Sequence, residues 1–121
     1  NSPQTSTIQE RNKMLKPGLR FSHIGIPTSG RTDLPTYLEG CKVSINDFND
    51  TDYAVEWLQF DEGSPFPEIL QKQAHVAYEC DDLEEAMKGL KVLVEPFDAA
   101  PGLKCAFVEA DGLGIELMQR Y

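Results

Sequence analysis

The sequence has few cationic side chains. Its 121 residues include 11 Lys and Arg against 20 Asp and Glu, which gives a formal net charge of −9. An acidic surface repels phosphate backbones and anionic lipids, so we expect neither nucleic acid nor a membrane as a partner. No apolar run reaches the roughly 18 residues that a membrane-spanning helix needs. The polar start, Asn1 to Gln9, has no signal-peptide core, which favours the cytoplasm.

The chain also lacks the cysteine and glycine patterns of several common sites. Cys41, Cys80 and Cys105 are odd in number and widely spaced, and no CxxC pair is present. Neither a disulfide framework nor a thiolate zinc site is therefore indicated, and we expect three reduced thiols. A Gly-rich phosphate loop is missing as well.

The length suits one compact domain, which we expect to follow a polar arm. Pro17-Gly18 would end a short helix in that arm, and Gly63 to Pro67 is typical of a linker. The predicted organisation is an arm at 1–19 with a possible helix over 8–16, a first module at 20–62, a linker at 63–73 and a second module at 74–121.

Strand patterns dominate the first module. Alternating or apolar runs predict strands at Phe21–Ile26, Lys42–Ile45 and Tyr53–Phe60. The stretch from Thr28 to Gly40 is rich in Gly, Thr, Pro and Asp and predicts a loop without a helix. The run Asn46–Asp52 predicts a turn.

The second module has the pattern β-α-β-β-β. A strand at Ala74–Glu79 precedes a helix whose apolar residues recur at helical spacing. Asp81 is placed to cap this helix, with Glu84 completing a capping box and Gly89 ending it. Strands at 92–95, 103–109 and 114–119 follow, and Asp111-Gly112 predicts a hairpin between the last two.

The two modules repeat one another at two points. His23-Ile-Gly-Ile26 matches His75-Val-Ala-Tyr78, and Val55-Glu-Trp-Leu-Gln59 matches Ile115-Glu-Leu-Met-Gln119. Both histidines of the chain thus fall on the first strand of a module. Glu56 and Glu116 fall in the middle of a closing strand that is otherwise apolar.

The alternation of side chains along a strand gives these residues a chemical meaning. Val55 and Trp57 share one face of their strand, so Glu56 points to the other face, and the same holds for Glu116. If the apolar pairs face a helix layer, both carboxylates face the concave side of the sheet, where burial without a cation is costly. Gly25 and Ala77 lie two residues beyond each His, which predicts room for a bound molecule.

A single histidine or inward-facing glutamate on a strand is more often structural. The recurrence of both residue types in both modules favours a metal site instead. Two imidazoles and two carboxylates suit a divalent first-row metal such as Zn, Ni, Co, Mn or Fe. The predicted ligands are His23, Glu56, His75 and Glu116.

Three segments resemble the vicinal oxygen chelate superfamily. They are the strand with His23, the segment from His75 to Ala86, and the ending Phe107 to Met118, and they are spread over nearly the whole of residues 21–120. The superfamily includes lactoylglutathione lyase, methylmalonyl-CoA epimerase, extradiol dioxygenases, and fosfomycin- and bleomycin-resistance proteins.

The resemblance implies an α+β fold in which two βαβββ modules form a curved mixed sheet around one metal. It implies that each module contributes two metal ligands: the first contributes His23 and Glu56, and the second contributes His75 and Glu116. The first module departs from the family, because its helix is reduced to a loop between Thr28 and Lys42. Members that use glutathione or CoA are therefore not assumed as models for the substrate.

The resemblance also implies a reaction. A divalent metal would act as a Lewis acid on a small substrate with two adjacent oxygens, and Glu56 or Glu116 would transfer a proton. This predicts an isomerase or lyase. The alternatives are a binding or resistance protein without turnover and, third, an iron-dependent ring-cleaving dioxygenase.

We also expect a homodimer. One helix cannot cover the outer faces of two four-stranded sheets, and exposed apolar area of this kind is usually buried against a second copy. The site would then lie within one chain or take residues from both, and the short Gly63–Pro67 segment favours the first arrangement.

Overall fold

The computed structural model describes residues 16–121, so the predicted helix over 8–16 and most of the polar arm lie outside the described residues. Two five-residue helices are present in the described part, α1 (Glu68–Lys72) and α2 (Leu83–Met87), with a 3-10 turn at Phe48–Asp50. The strands, β1 to β8, are Arg20–Pro27, Thr36–Leu38, Val43–Ile45, Val55–Phe60, His75–Glu79, Lys91–Ala100, Leu103–Ala110 and Leu113–Arg120.

All eight strands belong to one sheet in the order β2-β3-β4-β1-β5-β8-β7-β6. The pairs β1–β4 and β5–β8 are parallel, and the other neighbours are antiparallel. The first half is therefore β-loop-β-β-β and the second is β-α-β-β-β, joined where β1 pairs with β5. This curled mixed sheet with few helices confirms the predicted α+β fold class.

The sheet has a different core on each face. On the outer face, α2 covers β6, β7 and β8 through a cluster that includes Leu83, Ala86 and Leu117. On the inner face, Ala77, Cys105 and Met118 form a second cluster. The inner cluster is the floor of the concave side, where the candidate site lies.

Two elements were not predicted from the sequence. The loop from Thr28 to Gly40 contains β2, a three-residue edge strand that pairs with β3 and is too short to show periodicity. The segment predicted as a linker contains α1, whose Leu70 is buried. The Leu70 Cδ2 atom would lie 2.6 Å from a Cβ placed on Gly114, so packing against β8 holds this helix. The division into modules 20–62 and 74–121 stays a prediction.

Two predicted boundaries were wrong. Strand β6 continues beyond Glu95 to Ala100, because an edge strand with an irregular register tolerates Pro96. Helix α2 is capped by Asp82 and not by Asp81: the Asp82 side chain accepts a hydrogen bond from the Glu85 amide at 3.1 Å.

The predicted hairpin at Asp111-Gly112 is confirmed, since both residues have positive φ angles (56° and 74°). The three cysteines are free thiols as expected, two of them buried. None of the helices between residues 16 and 121 is long and apolar enough to cross a membrane.

Candidate metal centre

The pairing of β1 with β5 brings the two histidines to the centre of the concave face. In this antiparallel register His23 lies opposite Ala77, and Gly25 lies opposite His75. Each imidazole therefore has a small residue beside it on the neighbouring strand. The two rings lie 6.3 Å apart between centroids.

The parallel pairs add one carboxylate to each row. Glu56 of β4 lies beside Gly25, and Glu116 of β8 lies beside Ala77. One row across the sheet thus reads Glu56, Gly25, His75, and the next reads His23, Ala77, Glu116. The arrangement is a pseudo-twofold repeat, which is the spatial form of the repeat in the sequence.

The four side chains meet at one point within a single chain. The Glu116 Oε1 atom is 3.1 Å from His75 Nε2 and 3.4 Å from His23 Nε2, and Glu56 Oε1 is 3.7 Å from His23 Nε2. One ligand atom from each residue lies within 4.8 Å of all the others. A cluster of this composition and size could hold a metal ion.

Burial makes the cluster a fitting site for a cation. His23 and His75 are each 1% exposed and Glu116 is 8% exposed. Among the described residues, His23 Nε2 and His75 Nδ1 have no hydrogen-bond partner. Buried polar atoms are normally paired, but His23 Nε2 lies 3.4 and 3.7 Å from two carboxylate oxygens without forming a hydrogen bond. A cation between them would satisfy this nitrogen.

The charges of the cluster are strongly coupled in the metal-free state. Burial disfavours a charged His23, but Glu116 and Glu56 together outweigh it and raise the pKa of this imidazole from 6.5 to about 9. Burial likewise disfavours a charged Glu116, yet the two imidazoles hold its pKa down at about 2. The metal-free site at neutral pH is therefore an ion pair of a protonated His23 and an ionised Glu116.

Neighbouring side chains fix the two rings. Ser22 Oγ forms a hydrogen bond of 3.0 Å with His23 Nδ1. Phe48 stacks on His23, with ring centroids 4.1 Å apart and planes at 15°. Phe107 and His75 form an edge-to-face pair, with ring centroids 5.3 Å apart. No sequence pattern pointed to Phe48, because it lies in a 3-10 turn within a run that predicted only a turn.

Gly25 has a different role from the one predicted. We expected Gly25 and Ala77 to leave room for a bound molecule. A Cβ on Gly25 would instead lie 2.1 Å from His75 Cε1, so the imidazole itself fills that space. Gly25 is required for the position of a predicted ligand.

A cavity of about 290 Å³ opens beside Glu56, Glu116 and His23. Its walls come from β1, β2, β3, β4, β6, β7 and β8 and from the segments that carry Cys41, Phe48 and Phe66. The remaining lining residues are mostly apolar or aromatic: Thr36, Leu38, Cys41, Val43, Ile45, Phe48, Leu58, Phe66, Phe97, Ala99, Ala100, Leu103, Cys105, Phe107 and Met118. The cluster thus lies at one side of an otherwise apolar cavity that can admit a small molecule.

Comparisons with known proteins locate the fold. No protein-family model and no curated protein matches the sequence. A hypothetical protein from Bacillus halodurans is 23% identical, with a TM-score of 0.66 over 86% of this chain and 96% of that one. Methylmalonyl-CoA epimerase from Mycobacterium tuberculosis is 16% identical, with a TM-score of 0.61 over 92% and 95%. The chain therefore shares its fold with an enzyme of the superfamily that the sequence resembles.

Proposed function

We propose that this chain is a metal-dependent isomerase or lyase of the vicinal oxygen chelate type. It would move a proton next to a carbonyl in a small molecule with two adjacent oxygens. The observation that carries the proposal is the convergence of two buried imidazoles and two carboxylates within 4.8 Å, beside a cavity. The likeness of the fold to that of an epimerase supports the choice of reaction.

The proposed ligands are His23, Glu56, His75 and Glu116, and a divalent first-row ion fits their two nitrogens and two oxygens. When bound, such an ion would supply Lewis acidity to the two substrate oxygens. If His23 binds through Nε2, its Nδ1 proton can be donated to Ser22 Oγ, which fixes the tautomer and orientation of the ring.

The two carboxylates are suited to different tasks. Glu116 lies within 3.4 Å of both imidazoles and its pKa is held at about 2, so it is a firm ligand and a poor base. Glu56 lies beside the cavity, its side chain is 15% exposed, and it is within 4 Å of His23 alone among the histidines. We therefore assign proton transfer to Glu56, which can approach a substrate more freely.

The apolar lining of the cavity favours one second candidate, a protein that binds a small molecule without turnover. A ring-cleaving dioxygenase fits less well. Four protein ligands would crowd the positions that oxygen and substrate need on an iron ion, and the structure brings Glu56 close to the other three.

Proton exchange would separate these functions. Protein loaded with Zn, Ni, Co, Mn or Fe(II) would be incubated in D₂O with dicarbonyl and 2-hydroxycarbonyl compounds, and NMR would follow deuterium at the carbon next to the carbonyl. We expect metal-dependent exchange that Glu56→Gln abolishes while the variant keeps its metal. If the protein bound compounds of this panel but exchanged deuterium into none of them, the non-catalytic candidate would be supported. If Glu56→Gln catalysed exchange as fast as the wild type, Glu56 would be excluded as the base.

A further inference from the structure

Apart from the predicted ligand His23, the charged side chains that line the cavity are carboxylates. Glu56 and Glu116 are its two carboxylates, and neither Lys nor Arg lines it in the described part of the chain. The predicted metal would offset the negative charge of the ligands themselves. Beyond that centre, the described walls offer no cationic side chain to a second anionic group.

A depression beside the cavity has the same character. It lies between the turn after β2 and the middle of β6, and Leu38, Phe66 and Phe97 line both the depression and the cavity. The charged residues of this depression are Glu39 and Asp98, both exposed. An anionic substituent that extended from the cavity into this depression would meet two carboxylates and no lining cation.

The interior offers aromatic contact instead. Phe97 and Phe107 lie with their planes 9° apart, and Phe66 meets both rings edge-on at 6.4 and 5.4 Å. Edge-to-face and offset contacts of this kind favour a further flat apolar group. The volume of about 290 Å³ lies at the low end of the ~300–1,000 Å³ typical of ligand pockets, which limits the group to about one ring.

From these contacts we infer that the substrate is an uncharged compound with one small aromatic or apolar body next to its two oxygens. This inference rests on the proposed function, because the metal centre is what receives the oxygens. It excludes substrates with a phosphate or a distal carboxylate, since burying an unpaired anion in such walls is costly. Methylmalonyl-CoA, which gives the similar epimerase its name, belongs to the excluded class.

Four hydroxamic acids test the inference, because they share one chelating head and differ only in the body. Acetohydroxamate has no ring and benzohydroxamate has one. The 4-carbamoyl and 4-carboxy derivatives of benzohydroxamate have nearly the same shape, but only the second carries a distal charge. Affinities for the metal-loaded full chain would be measured by calorimetry.

We expect benzohydroxamate to bind about 10- to 100-fold more tightly than acetohydroxamate, through burial of the ring. The carboxy derivative should bind at least about 10-fold more weakly than the carbamoyl derivative. Leu38→Lys places a cation where the depression adjoins the cavity and should reduce that second ratio, whereas the matched variant Leu38→Met should leave it unchanged.

The outcomes separate the inference from the function on which it rests. If both substituted probes bind equally to the wild type, or if acetohydroxamate binds as tightly as benzohydroxamate, the inference is wrong and the metal centre stands. A metal-loaded chain that binds none of the four probes would contradict the proposed function, and the inference with it.

Discussion

At Gly25 the sheet leaves space only for the imidazole of His75. Gly25→Ala would place a methyl group 2.1 Å from His75 Cε1, so the ring must leave the position in which it contacts Glu116. We expect this variant to lose about 1–3 kcal/mol of unfolding free energy, as for other overpacked sites. Metal affinity should fall as well, and chemical denaturation together with metal titration would measure both effects.

Gly40→Ala is the matched control, because a Cβ there meets nothing within 4 Å. Its φ angle does not require glycine, so its stability and metal affinity should stay close to those of the wild type. If Gly25→Ala bound metal as tightly as Gly40→Ala, the position of the His75 ring would not matter for binding.

His23 links metal binding to proton release. Its raised pKa of about 9 means that the metal-free chain carries a proton on this ring at pH 7.5. A metal needs the neutral imidazole, so binding should release about one proton per ion at this pH. Release should fall towards zero as the pH rises above about 9, where the free site has already lost the proton.

Calorimetric titration in buffers with different ionisation enthalpies measures the released protons directly. At pH 7.5 the observed enthalpy of metal binding should change with the ionisation enthalpy of the buffer. At pH 10 it should be nearly independent of the buffer. Buffer-independent enthalpy at pH 7.5 would show that His23 is already neutral in the metal-free site.

The candidate ligands could be predicted because they recur. His23 and His75, like Glu56 and Glu116, hold equivalent places in two halves, and strand alternation alone puts the carboxylates on one face. Phe48 and the true role of Gly25 could not be predicted. The stacking of Phe48 and the role of Gly25 both depend on distances between side chains of different segments. Those distances are defined only in the folded sheet.

Helix α2 depends on a cap that the sequence placed one residue too early. Asp82 accepts the hydrogen bond from the Glu85 amide, whereas Asp81 forms an exposed ion pair with Arg20 at 3.1 Å. We expect Asp82→Ala to reduce the unfolding free energy by about 1 kcal/mol. Asp81→Ala should cost less, since exposed ion pairs contribute little.

Thermal or urea denaturation would measure the unfolding free energy of both variants. The comparison is matched, because each variant replaces an aspartate by alanine. A larger loss for Asp81→Ala would assign the cap to Asp81, as the capping-box pattern with Glu84 had indicated. The sequence could not decide because adjacent aspartates both satisfy local spacing. The choice depends on where β5 ends and on the contact of Asp81 with Arg20.

The longer strands were predictable from their periodicity, whereas β2, α1 and the end of β6 were not. Strand β2 and helix α1 exist through tertiary contacts, namely pairing with β3 and the packing of Leu70 on β8. Local sequence carries little information about such short elements. Pro96 concealed the length of β6, because its tolerance depends on β6 being an edge strand.

The outer face of the first half has no helix over it in the described part of the chain. Ile24, Ile26, Val55 and Trp57 form adjacent pairs on this face and are only half-buried. No helix of the described part therefore covers Trp57, and the Arg31 guanidinium lies 5.6 Å from the centroid of its ring. We propose that a second copy of the chain covers this face, since contiguous apolar surface favours association.

Sedimentation at low micromolar concentration tests this dimer. We expect a dimer for the wild type and a shift towards monomer for Trp57→Lys, which places a charge on the proposed interface. Tyr53→Lys is the control, because Tyr53 is 84% exposed and lies before β4. A wild-type chain that sediments as a monomer would contradict the proposal.

One divalent ion should bind where His23, Glu56, His75 and Glu116 converge. Metal content of protein purified without chelators or a His-tag, after dialysis against Zn or Co, tests it most directly. We expect one ion per chain. Glu116→Gln should weaken binding by more than the ~10–100-fold typical of losing a supporting partner, and Glu109→Gln should have no effect. A wild type that takes up no metal, or a Glu116→Gln variant that retains it fully, would show that these four residues do not form the metal site.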